Sequence, residues 1–311
     1  MKSPAFFFLC LVTLALLGWG TYQALDVAPA EATMGDAQRI FYYHVPAATA
    51  ASLLFWTNFV ASLWYLWKRS AVADAIAVSA AEVGVVFFGV VLISGPIWAR
   101  YAWGTFWVWD ARLTTSLILW LLYVSYLILR SSSEIGSTSV LAASLAVFAA
   151  LDMPIVYMSN RWFRTNHPQP MIGTPNLNPE MQKVLLWNML AFCLFALLIA
   201  WFRFELERTS QKINQLHIHK AAQGTSMALI APVMFLFSGH NLAAFLGHNK
   251  LAAFLLQNDA DAAKLAHEKL VQHHYMVAGY VAVWTIYIGY LLFLYAKLRN
   301  LRQEEVDLRR G

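Results

Sequence analysis

Apolar residues in this chain gather into blocks, several of them near the roughly 20 residues that cross a bilayer as a helix. Short segments holding most of the charge divide them. The first block covers 4–25, after Lys2. Ala28-Pro29-Ala30 beyond it resembles a processing site, but the block is nearly long enough to span and is expected to stay as a first helix. The second, 41–67, opens with Phe41-Tyr42-Tyr43-His44-Val45-Pro46. Pro46 suits a helical first turn, where its missing N–H costs nothing, which puts His44 at the mouth of that helix. The third, 75–98, holds Gly84, Gly89 and Gly95, small enough for close helix approach. Glu82 inside it and Asp152 inside the fifth block are costly there and are expected to pair. Further blocks lie at 115–129, 140–158 and 184–202. A weaker one at 226–246 is broken by Pro232, Gly239 and His240, and a last one at 275–295 precedes a basic tail. The pattern predicts an all-α polytopic membrane protein: a six-span core bundle over 1–205, a linker over 206–257 with a weak apolar segment, and a final unit over 258–311 with one span. The extension thus adds one or two spans to the core.

Composition agrees. Of 311 residues, 59% are hydrophobic and 13% charged, against roughly 25% charged in soluble domains. The net charge of +5 invites a nucleic-acid reading. The basic residues, however, sit between apolar blocks and in the tail, which suits lipid headgroups and membrane orientation, so no nucleic-acid partner is expected. Cys10 and Cys193 both lie in apolar blocks and read as packed side chains.

The stretch from Trp98 to Thr114 is unlike the rest. It carries six aromatic residues, Asp110 and two arginines, Arg100 and Arg112. It is too polar for hydrocarbon and too aromatic for a solvated loop, so it is expected to form a flat apolar platform at the membrane boundary. Counting spans puts His44, this stretch and His167 in odd-numbered loops, on one face whatever the orientation. With the N-terminus inside, that face is the outer one. Taken singly, each feature has a plainer explanation: an interfacial histidine, a belt of anchoring tryptophans, a helix cap at Asp110. Together they match the needs of haem. Its iron takes imidazole nitrogens, its ring needs an apolar surface, and its propionates suit arginine forks. His44 and His167 are the expected iron ligands. Arg100, Arg112, Arg161 and Arg164 are the expected propionate partners.

Trp103-Gly104-Thr105-Phe106-Trp107-Val108-Trp109-Asp110 resembles the tryptophan-rich WGxxWxWD motif of haem-handling proteins in cytochrome c biogenesis. The continuation Ala111-Arg112-Leu113-Thr114 resembles the CcmC branch, haem exporter protein C, rather than the synthase branch. Tyr43-His44-Val45-Pro46-Ala47-Ala48 resembles that family's first histidine motif. Pro154-Ile155-Val156-Tyr157-Met158-Ser159, with Trp162 and His167, resembles its second. The resemblance covers about 1–205. It implies b-type, non-covalent haem held by His44 and His167 as axial ligands, with Trp103, Trp107, Trp109 and Asp110 shaping the haem and chaperone surface. It further implies delivery to a CcmE-like haem chaperone, a CcmA/CcmB-like ABC transporter as partner, and a place in the bacterial inner membrane with the haem site facing the periplasm. Gly279-Tyr280-Val281-Ala282-Val283-Trp284, a single span and a basic tail resemble CcmD, the small partner of CcmC, as if fused here.

Three other functions share some of these features. A haem lyase or synthase joining haem directly to apocytochrome c would use the same platform, but the Ala-Arg-Leu-Thr continuation and the lack of a large outer domain speak against it. A b-type electron-transfer subunit usually places its ligand histidines within spans. A transporter carrying haem across the bilayer would need an inner-side site. No Gly-rich phosphate loop with Lys-Ser/Thr is present, so energy is expected to come from a partner ATPase, and the chain is read as a haem delivery protein rather than an enzyme, with lyase activity left open.

Overall fold

The computed structural model describes residues 4–131, 137–169, 172–175, 177–223 and 260–310. Among them the architecture is helical: α1 Pro4–Tyr22, α2 Phe41–Lys68, α3 Ala71–Trp103, α4 Ala111–Ser131, α5 Ser137–Ala150, α6 Asp152–Trp162, α7 Pro179–Gln223 and α8 Ala260–Arg310. Seven helical segments are long and apolar enough to cross a membrane, six in the core and the last in α8. The apolar segment at 226–246 lies outside the described residues.

Three local features differ from the pattern-based expectation, each for a local reason. The fifth span is not one helix: α5 ends at Ala150 and α6 begins at Asp152. Pro154 explains the break, since its ring clashes with the carbonyl four residues back, that of Ala150. Asp152 therefore opens α6, favourable for an acidic group at a helix N-terminus. Among the described residues it makes no ion pair, contrary to expectation, and its Oδ2 is buried without a hydrogen-bond partner. Secondly, α2 starts at Phe41, after a 3-10 turn at Asp36–Ile40, so Pro46 lies inside the helix instead of in its first turn. Thirdly, α3 runs on to Trp103 and ends at Gly104, whose φ of 73° suits the left-handed helix cap. Only 104–110 of the aromatic stretch is loop.

Without a hydrophobic drive inside a bilayer, the helices associate through close packing and polar contacts. Gly84 shows the first: a Cβ there would lie 2.6 Å from Phe55 Cε1, so α2 and α3 approach only because it is glycine. Phe55 in turn stacks on Tyr123 of α4 at 3.8 Å. Polar contacts gather at the end of the bundle away from His44. Arg203 Nε donates to Glu82 Oε2 at 2.7 Å, Arg203 Nη1 to Glu207 at 3.0 Å, and Tyr290 Oη to Glu82 Oε1 at 3.0 Å. Glu82 is thus paired as expected, and its pairing ties α3, α7 and α8 together. Removing one member of such a set leaves an uncompensated buried charge, a loss of about 3–5 kcal/mol. Arg130 and Asp74 make a second pair nearby, joining α4 to α3.

α8 lies along α3 for most of the bundle. Near the His44 end, Gln272 Nε2 donates to Tyr101 Oη at 3.0 Å, and the rings of Tyr43 and Tyr280 meet edge to face at 4.4 Å. A Cβ on Gly279 would run into the Tyr43 hydroxyl. The last helix therefore buttresses the residue next to His44. At the far end its tail meets that of α7, where His217 Nε2 lies 2.9 Å from Glu304. α7 thus ends at the face opposite to the one where α8 begins its packing.

Candidate functional site

The bundle end that carries the C-terminus of α3 and the N-terminus of α4 brings together His44, the aromatic stretch and His167, as span counting expects. His44 sits on the fourth residue of α2. Its Nδ1 lies 2.9 Å from Ser94 Oγ on α3, and Ser94 Oγ donates to the Val90 carbonyl at 2.7 Å. Beside it, a Cβ on Gly95 would lie 3.3 Å from His44 Cε1. The glycine leaves room for the imidazole.

His167 is mounted on the irregular segment between α6 and α7. Its Nδ1 lies 2.9 Å from the Pro168 carbonyl and 3.2 Å from Asn160 Nδ2. The carbonyl only accepts and the Asn160 amide nitrogen only donates, so the two contacts compete; the shorter one, to Pro168, is made with the proton on Nδ1, and the Asn160 amide then bonds that same carbonyl and not the ring. Asn160 Nδ2 donates to the same carbonyl at 2.9 Å, and Gln169 Nε2 donates to the Asn160 carbonyl at 2.6 Å. Burial, and then the cation of Arg112, hold the His167 imidazole below its usual pKa. It is therefore neutral near pH 7, the form that ligates metal.

Asp110 joins the two loops. Its Oδ1 accepts the Leu113 N–H at 2.9 Å and so caps α4, as expected, at about 1 kcal/mol. Its Oδ2 accepts the Asn166 N–H at 3.0 Å, one residue before His167. The second bond was not legible in the motif.

The tryptophans do not form one flat platform. Trp98 and Trp103 meet at 5.3 Å and 82°, and Trp107 and Trp109 at 5.7 Å and 74°. These are two edge-to-face pairs, the arrangement the ring quadrupole favours over a flat sheet. Trp109 is 77% exposed, while Trp107 Nε1 is buried without a partner.

The four arginines divide. Arg112 is half-buried, donates to the Val156 carbonyl and acts electrostatically on both histidines. Arg100 donates to the Gly104 carbonyl and lies over Phe106. Arg161 lies over Tyr157 at 4.9 Å, and Arg164 is exposed. Of the four, Arg112 is the one whose charge bears on both imidazoles. Ser94, Gly95 and Asn160 are site residues that the motif reading passed over. The available signals were a serine beside a glycine one turn from the aromatic stretch, and an asparagine closing the sixth helix.

The chain is similar to the "Heme exporter protein C" of Escherichia coli (strain K12), 31% identical over 189 residues, which is 60% of this chain and 77% of the relative. Against the protein of that name from Bradyrhizobium diazoefficiens it is 31% identical over 219 residues, 69% of this chain and 83% of the relative. The Haemophilus influenzae relative is 35% identical over 186 residues, 57% of this chain and 74% of its own. A family model described as heme exporter protein C matches residues 1–222, which takes in α1 to α6, nearly all of α7 and every site residue above, and the chain belongs to that family.

Proposed function

We propose that this multi-pass membrane protein holds haem at one membrane face between His44 and His167 and delivers it to a CcmE-like chaperone for cytochrome c maturation. The family's description and the names of the relatives support haem handling and delivery rather than catalysis. The observation that carries the residue assignment is the state of the two imidazoles. Each has Nδ1 engaged, and no hydrogen bond among the described residues engages Nε2 of either. A metal-ligating histidine typically has this form, one nitrogen held by an acceptor and the other free for the metal. The surroundings fit the rest of haem. Gly95 leaves space beside His44, the tryptophan pairs offer apolar edges, and the buried indole N–H of Trp107 lacks an acceptor. Arg112, whose charge bears on both rings, is the first choice among the arginines for a propionate.

In this reading haem supplies the iron that the two Nε2 atoms bind, non-covalently and as b-type. The chain's residues orient and release it. The exposed ring of Trp109 offers the chaperone an apolar contact beside the site. α8, beyond the family match, acts as a fused CcmD-like partner: it packs on α3 and reaches the Tyr43–His44 turn. The site faces the periplasm of a bacterial inner membrane, and a CcmA/CcmB-like transporter supplies energy that this chain does not. The test is the absorbance spectrum of the detergent-purified protein beside His44→Ala and His167→Ala. A Soret band that both variants lose or shift is expected. A parent that cannot hold supplied haem, or variants spectrally identical to it, would defeat the assignment.

A further inference from the structure

We propose that Ser94 is a positioning residue that sets the tautomer of His44, keeping the ring proton on Nδ1 and presenting the Nε2 lone pair to haem. The inference rests on the haem reading above. Ser94 is fully buried, so no bulk water competes for its hydroxyl. A serine hydroxyl has one proton to give. Its Oγ stands 2.7 Å from the Val90 carbonyl oxygen. Two oxygens that close need a proton between them, and the carbonyl has none to offer. The hydroxyl proton is therefore committed to Val90, and Oγ turns only lone pairs towards His44. The 2.9 Å contact with His44 Nδ1 then requires the proton to be on the imidazole.

Bonding back to the carbonyl four residues earlier is common in this chain. Thr49, Ser52, Ser79, Ser125 and Ser144 all do it. Those hydroxyls are accounted for by that bond alone. Ser94 has a second partner, a histidine on another helix, and that contact separates a positioning role from ordinary helix chemistry. Gly95 completes the arrangement. A side chain there would press on His44 Cε1 and move the ring away from Ser94 Oγ. His167 has its proton held by a backbone carbonyl, which no substitution at that residue removes. On the His44 side the acceptor is a side chain, so the tautomer is under the control of one replaceable residue.

The experiment uses the full-length protein in nanodiscs with its histidine rings labelled with nitrogen-15, first without haem. NMR chemical shifts distinguish a ring protonated on Nδ1 from one protonated on Nε2, and the His44 signal is identified by its absence in His44→Gln. The parent is expected to show Nδ1–H, Ser94→Ala to gain the Nε2–H form, and Ser94→Thr, which keeps a hydroxyl, to restore Nδ1–H. With hemin added, Ser94→Ala is expected to shift the haem midpoint potential and to weaken retention by about 10–100-fold, as loss of such an outer partner typically does. An Nε2–H signal in the parent, or a Ser94→Ala signal unchanged from the parent, overturns the proposal. If hemin binds through His44 while the tautomer ignores Ser94, this inference fails alone and the haem reading stands. If the tautomer follows Ser94 but the parent holds no hemin, the haem reading fails, and with it the presentation of Nε2 to haem.

Discussion

His44 and His167 meet at one end of the bundle but are mounted in opposite ways. His44 is carried by α2, a 28-residue helix, and held by a side chain from α3, its closely packed neighbour. His167 is carried by a loop, and its own fixing is local, the Pro168 carbonyl that Asn160 also binds; one longer-range bond, from Asn166 to Asp110, ties the loop to α4. A protein that must both hold a ligand and give it up benefits from such a difference. If the two rings hold haem as proposed, the helix-mounted group is pre-organised and is expected to contribute more to retention, whereas the loop-mounted group is expected to move at lower cost when the ligand leaves.

The largest expected effect tests this contrast directly. His44→Ala should abolish haem retention through gel filtration, whereas His167→Ala should keep a measurable fraction with a shifted Soret band. Equal loss in both would mean that mounting has no bearing on retention. Next is Asp110→Ala, which removes the acceptor for the Asn166 N–H. A hydrogen bond to a charged group is worth about 1.5–3 kcal/mol, so hydrogen–deuterium exchange over 163–169 should accelerate by at least about tenfold. Exchange around His44 should not change. An unaltered loop would show that the Asp110–Asn166 bond does not hold it.

Two glycines separate the mounts more finely. At Gly95 the limit is space, because the added methyl would meet His44 Cε1 at 3.3 Å. Gly95→Ala should weaken haem retention by about tenfold through a displaced ring, in line with overpacking costs of about 1–3 kcal/mol. At Gly173, in the His167 loop, the limit is backbone conformation: φ is +77° and nothing lies within 4 Å of an added Cβ. Gly173→Ala should cost about 1 kcal/mol of loop order and at most about fivefold in retention. Hemin titration followed at the Soret band measures both. A larger loss at Gly173 than at Gly95 would reverse the assignment of which mount is rigid.

Much of this could be read from the residues in order. Block lengths predicted the spans, because a bilayer sets a length that each helix must meet. Span parity put His44, the tryptophans and His167 on one face, because a chain that crosses a membrane alternates sides. The motif at Trp103–Asp110 pointed to the family. What remained hidden depends on contacts between distant segments. Pro154 was visible, but only the folded chain shows the break it makes after Ala150. The aromatic content predicted an apolar surface, yet ring angles follow from neighbours, so two edge-to-face pairs replace the expected plane. Asp110 read as a cap for α4. That it also holds the His167 loop requires a residue 56 positions away. Ser94 lies 50 positions from His44, in a helix whose pattern marks it only as one more small residue. The sequence alone therefore determined that the candidate residues share one face, because alternation across a bilayer is a local rule applied span by span. Tertiary structure decided which imidazole nitrogen is free and how firmly each ring is held, because protons and packing answer to whatever lies a few ångströms away, not to neighbours along the chain.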